Sequence, residues 1–138
     1  VPLSVSGAAV SARRRVPVDE FAAAYAAWPG TEHDKTTLKA LLLRYRIEAV
    51  AARIPSTVVI AAGTTRVPQR LMLAVGEPGL DDGQRVRRLR IVRAAVAAYH
   101  AICDVLHGRD PEARPALARV TDWEQAVVRL EEEFPRRP

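Results

Sequence analysis

Apolar residues recur along most of this chain at helical intervals. In PVDEFAAAYAAW, Phe21, Ala24, Tyr25 and Trp28 share one face of a helix, with Pro17 at or near its start and Asp19 and Glu20 in its first turn. Pro29-Gly30 ends it. The next segment, TEHDKTTLKALLLRYRIEAVAARI, offers Thr31 and Asp34 as caps and then two adjoining stripes. Leu38, Leu41, Leu42, Tyr45, Ala49 and Ala52 form the first, and Leu43, Ile47, Val50 and Ile54 the second. A helix apolar over so much of its surface belongs inside a bundle, and Pro55 stops it.

From Ala52 to Gly76 the periodicity is mixed. Val58, Val59 and Ile60 are β-branched neighbours between Pro55 and Gly63, which predicts a short extended segment at 57 to 61. After a loop, residues 69 to 75 read as a short helix or strand: Leu, Met and Ala favour helix, and Pro68 suits a first turn. GEPGLDDG, from Gly76 to Gly83, is a turn-rich linker. Beyond it QRVRRLRIVRAAVAAYHAICDVLHG predicts the longest helix, with Asp81 or Asp82 as N-cap and Gly108 as C-cap. Asp110-Pro111-Glu112 opens a short helix, and Thr121-x-x-Glu124 reads as a capping box opening the last one, through Phe134. The expected fold is mainly α: one domain at 17 to 134, an irregular bundle of four to six helices with at most one short extended segment or hairpin near 57 to 75. A flexible basic arm at 1 to 16 precedes it and a tail at 135 to 138 follows.

Composition narrows this picture. The chain has 138 residues, enough for one core without metals or disulfides, but only 5% are aromatic, so close packing of Ala-bearing helices is the natural route to that core. Its net charge of +5 favours acidic partners such as nucleic acid or an acidic protein. The single cysteine, Cys103, excludes an intramolecular disulfide and suits a reducing cytoplasm. No apolar run is long enough to cross a membrane, and the N-terminal charges follow a short apolar stretch, the reverse order of a secretory signal.

Two segments, PSTV and GTTRVPQRL, resemble the recognition helix and following loop of phage-repressor-like DNA-binding domains over roughly residues 47 to 73. The resemblance implies a transcriptional regulator with a degenerate helix-turn-helix and DNA contacts from Ser56, Thr57 and Arg66. Spacing and chemistry oppose it. Val50 to Gly63 is thirteen steps, shorter than that pattern takes, and STVVIAA has no long polar side chain to reach base edges. A buried connector between two long helices is the favoured reading.

More chemistry sits in QRVRRLRIVR. Arg85, Arg87, Arg88, Arg90 and Arg93 crowd the start of a helix, where the dipole disfavours cations, while Val86, Leu89 and Val92 keep one side in the core. The arginines are expected to fan over the remaining surface, relieved by Asp81, Asp82 and Glu77, either as a solvated face or as a site for phosphate or an acidic partner. Arg13 to Arg15, Arg136 and Arg137 can add to such a patch, and the scarcity of aromatics points to backbone-directed contact. Glu131 to Glu133 reads as a solvated face that can also pair with a basic patch on another copy, in a homo-oligomer.

Further along, His100, Cys103 and His107 lie at i, i+3 and i+7, ligand types that zinc prefers, although the outer two sit about 10 Å apart along a helix axis. Glu32, His33 and Asp34 gather ahead of a helix with no nucleophile motif beside them, an ordinary capping pattern. There is no phosphate-binding glycine loop and no cofactor is expected. The expected function is a non-enzymatic, regulatory interaction module that engages an acidic partner, nucleic acid backbone or a protein complex, through the Arg85 to Arg93 face. A DNA-binding regulator is one alternative; a small enzyme or metal protein using His100, Cys103 and His107 is another.

Overall fold

Three apolar stripes, one from each long helix, close on one another to form the core. In the computed structural model, residues 18–27, 32–54, 66–109 and 115–136 are described. They form α1 (Val18–Ala26), α2 (Glu32–Arg53), α3 (Val67–Leu73), α4 (Asp82–Leu106) and α5 (Leu117–Glu133), with a 3-10 turn at Ala74–Gly76 and no strand among the described residues. The mainly α bundle expected from the periodicity is what the chain adopts. The expected arm at 1 to 16, the extended segment at 57 to 61 and the short helix opened by Asp110-Pro111-Glu112 lie outside the described residues.

From α2 come Ala40, Leu43, Ile47, Val50 and Ile54, from α4 Val92, Ala95, Ala98 and Ile102, and from α5 Val120, Trp123, Val127 and Leu130, all buried. Their steps of three and four place each set on one stripe, and α2, α4 and α5 pack pairwise along these stripes. Alanines at 40, 95 and 98 let the helices approach, and among the described residues Trp123 is the one aromatic side chain buried in this core, with Tyr99 and Phe134 packed against it. Leu71 of α3 and Ala74 of the 3-10 turn cover one end of this core. α1 packs against α2.

Of the two stripes read on α2, the second is the buried one. Leu38, Leu41, Tyr45 and Ala49 of the first are only half-buried and Ala52 is exposed; Leu42 alone of that set is buried. With α4 and α5 both on one side of α2, a second apolar face has less to cover it.

The ends of α4 follow from its sequence. Asp81 is extended, its Oδ1 accepts from the Gln84 amide at 2.7 Å, and Gln84 Oε1 accepts from the Asp81 amide at 3.0 Å, a reciprocal capping box. At the other end Gly108 takes φ +68, the Arg109 amide donates to Asp104 O and the Gly108 amide to Val105 O, which makes a Schellman ending. The start of α5 corrects the sequence reading. The helix opens at Leu117, a turn before the expected Thr121-x-x-Glu124 box, with Ala116 extended at its N-cap. Thr121 Oγ1 donates back to Leu117 O at 3.0 Å, and Glu124 pairs with Lys39 of α2 at 2.7 Å. Burying Val120 requires that extra turn, and both cap candidates are used elsewhere.

Candidate functional site

The five arginines at the start of α4 do not fan outward together. Arg85 is half-buried and donates from Nη1 to Val75 O at 2.8 Å and from Nη2 to Leu80 O at 3.3 Å. Arg88 is buried: Nη1 donates to Ala74 O at 3.0 Å and to a Glu77 carboxylate oxygen, Nε donates to Glu133 Oε1 at 3.1 Å, and the guanidinium carbon lies 4.7 Å from the Phe134 ring centre. These two side chains donate to carbonyls of the 3-10 turn and of the loop after it, Ala74 O also accepting from the Glu77 amide at 3.3 Å. Burial opposes the Arg88 charge, but the hydrogen bonds it donates to Glu77 and then Glu133 outweigh it and hold the guanidinium above its ordinary value.

Arg87, Arg90 and Arg93 point the other way. Arg87 is 64% exposed and reaches Glu133 Oε2 at 3.2 Å from its outer side. Arg90 and Arg93 are exposed, and among the described residues no carboxylate pairs with either. The expectation of one surface fan is therefore corrected: Arg85 and Arg88 are built into the scaffold, and the outward set is Arg87, Arg90 and Arg93. Helical geometry sends residues 85, 88 and 92 to one side and 86, 90 and 93 to the other.

The acidic run is corrected in the same way. Glu131 accepts a two-pronged pair from Arg46, through Nε at 3.1 Å and through Nη2, and Glu133 accepts from Arg87 and Arg88 with only 7% of its side chain exposed. Only Glu132 of the three is exposed. Hence the run ties α5 to α2 and α4 within the chain rather than forming a solvated face.

The remaining candidates do not gather into a site. Ser56 and Thr57 lie outside the described residues, and Arg66 is an exposed, extended residue at the N-cap of α3. Val50 and Ala51, which the helix-turn-helix resemblance puts at the opening of a second helix, are buried in the last turns of α2. His100 is exposed, Cys103 half-buried and His107 exposed at the C-cap of α4, and no group of three metal-ligand residues able to hold an ion occurs among the described residues. Glu32 and Asp34 open α2 with His33 between them.

A second polar cluster was not read from the sequence. Glu48 on α2 accepts from Arg44 Nε at 3.0 Å and from the Tyr99 hydroxyl of α4 at 3.4 Å. Burial first, then Cys103 and Glu48, push the Tyr99 phenol above its ordinary value, with Arg44 opposing. The contact joins residues 51 positions apart, beyond the reach of local pattern.

No family model, curated protein or solved structure matches this chain. The class that the fold defines is a small helical bundle carrying a one-sided row of arginines on its longest helix. No described helix is long and apolar enough to cross a membrane.

Proposed function

We propose that this protein is a non-enzymatic helical interaction module that engages the backbone of a nucleic acid through Arg87, Arg90 and Arg93. The observation that carries the reading is the pair Arg90 and Arg93, exposed on a well-capped helix with no carboxylate partner among the described residues. Their three-residue spacing sets neighbouring guanidinium stems about 4.5 Å apart along the helix axis, a row of forks suited to successive phosphate oxygens. The net charge of +5 adds long-range attraction to a polyanion. With two Trp, three Tyr and two Phe in the chain, one of them Trp123 in the core, stacking on bases has little to work with, so contact is directed to the backbone. The single half-buried thiol, Cys103, suits a reducing, cytoplasmic setting.

Fluorescence anisotropy with a mixed-sequence DNA duplex at low salt tests the reading. Binding should occur with little sequence preference and be lost in Arg90→Glu/Arg93→Glu. Absence of binding to any nucleic acid under those conditions, together with retention of an acidic protein by the same face, would transfer the site to a protein partner.

A further inference from the structure

Glu133 of α5 holds two arginines of α4 at once, one built into the scaffold and one from the outward row. Its Oε1 accepts from Arg88 Nε at 3.1 Å and its Oε2 from Arg87 Nη2 at 3.2 Å. The carboxylate side chain is only 7% exposed, whereas Arg87 is 64% exposed. One oxygen is thus fixed inside, and the other meets the row where it begins. Each three-residue step turns that row by about 60° around α4, so Arg93 stands about 120° away from Arg87. Among the described residues only the Arg87 end of the row meets a carboxylate.

Charge balance shows what Arg87 contributes there. Arg88 carries one positive charge and meets two carboxylates, Glu77 and Glu133. Its third acceptor, Ala74 O, is a neutral carbonyl. Glu77, Glu133 and Arg88 alone would leave a surplus negative charge, and a nearly buried carboxylate bears such a surplus at high cost. Arg87 removes it. The neighbouring Glu131 is already taken by Arg46 and is not part of this exchange.

We infer that Glu133 is a positioning residue and built-in competitor for the outward row: a nucleic-acid phosphate engages Arg87 only by displacing Glu133 Oε2. The inference rests on the nucleic-acid reading above and adds to it a residue on another helix. Phosphate and carboxylate are both oxyanions that seek the same guanidinium fork. The row therefore offers two unrestrained cations, Arg90 and Arg93, and one restrained, Arg87. Taking Arg87 uncovers the Glu133 charge beside Arg88, so contact at this end is opposed by the tie between α4 and α5.

A double-mutant cycle tests the inference. Wild type, Glu133→Gln, Arg87→Gln and the double variant are titrated by anisotropy with the mixed-sequence DNA duplex over a range of salt concentrations. Glu133→Gln keeps the shape of the side chain and removes its charge. It should bind about fivefold more tightly at fixed salt, the worth of one partly exposed ion pair. The same variant should unfold at a lower urea concentration, because Arg88 loses a charged partner. Tighter binding by a less stable protein is a result that a purely structural Glu133 does not give. In the Glu133→Gln background, Arg87→Gln should make the slope of log K against log salt shallower by a full contact, about 0.9; in the wild type it should do so by clearly less. The wild-type comparison needs only the exposed Arg87 changed, so it decides the matter even if Glu133→Gln does not fold. A full loss of about 0.9 there overturns the inference. Binding that the folded Glu133→Gln variant leaves unchanged or weakens overturns it too, and in both cases the nucleic-acid reading stands. No binding by the wild type or by Glu133→Gln overturns that reading, and the inference with it.

Discussion

Arg88 and Arg90 stand two positions apart in the same turn and do opposite things. Arg88 joins Ala74 O, Glu77 and Glu133 beneath the Phe134 ring, whereas Arg90 is exposed. Arg88→Ala should therefore lower the free energy of unfolding by about 3 kcal/mol, because it strands the nearly buried Glu133 carboxylate with only Arg87 as partner. Arg88→Lys should recover only part of this, since a point charge cannot serve three acceptors as a planar fork does. Arg90→Ala should leave the denaturation midpoint unchanged, and equal losses at the two positions would contradict the assignment. Tyr99 gives a second residue-scale test. Its folded pKa is raised, so the folded state holds the phenolic proton more tightly than the unfolded state. Stability from this source is full below the unfolded phenol value, about 10, and is lost as pH rises through the folded one. Tyr99→Phe should flatten that alkaline fall in urea midpoints measured between pH 9 and pH 11, at some cost at neutral pH from the lost Glu48 contact. The arginine row was legible in the sequence, but which arginines turn inward was not. Glu133 lies 45 residues from Arg88, and nothing local ties the two.

Element ends were legible where the cap lies within four residues of the helix it closes. The Asp81 box needs only Gln84, and Gly108 needs only the last turn of α4. Asp81→Ala should cost about 1 kcal/mol by losing the bond to the Gln84 amide. Gly108→Ala should cost about as much, because φ +68 is strained for any residue with a Cβ even though the space around it is open. Both are measurable by urea unfolding, and a neutral Gly108→Ala would show that the ending rearranges. The α5 start was misread because tertiary demand overrode a local signal. Thr121 and Glu124 have the spacing of a capping box, yet Val120 must be helical to join Trp123, Val127 and Leu130 in the core, and Lys39 claims Glu124 from another helix. On α2 the sequence showed two apolar stripes of similar weight. Choosing between them requires knowing where α4 and α5 lie, which no single helix encodes.

At the scale of the whole molecule, charge is sorted by position. Carboxylates of α5 and of the Glu77 turn neutralise Arg46 and Arg88, whereas Arg90 and Arg93 are exposed with no carboxylate partner among the described residues. This sorting makes the proposed nucleic-acid contact quantitative. Each phosphate neutralised on duplex DNA releases counterion and steepens the fall of log K with log salt by about 0.9. Arg90→Gln/Arg93→Gln removes two outward charges while leaving the hydrogen bonds of Arg85, Arg87 and Arg88 in place, so the slope should become shallower by about 1.8. Arg87→Gln should reduce it by less than a full contact, because Glu133 already shares that charge. Substitution of Arg85, whose guanidinium is bound to Val75 O and Leu80 O, should alter stability and leave the slope as it is. Anisotropy titrations between 50 and 200 mM salt resolve these differences for the folded variants. If the slope of the double variant matches the wild type, the duplex is held elsewhere, and the outward row of α4 is not its binding face.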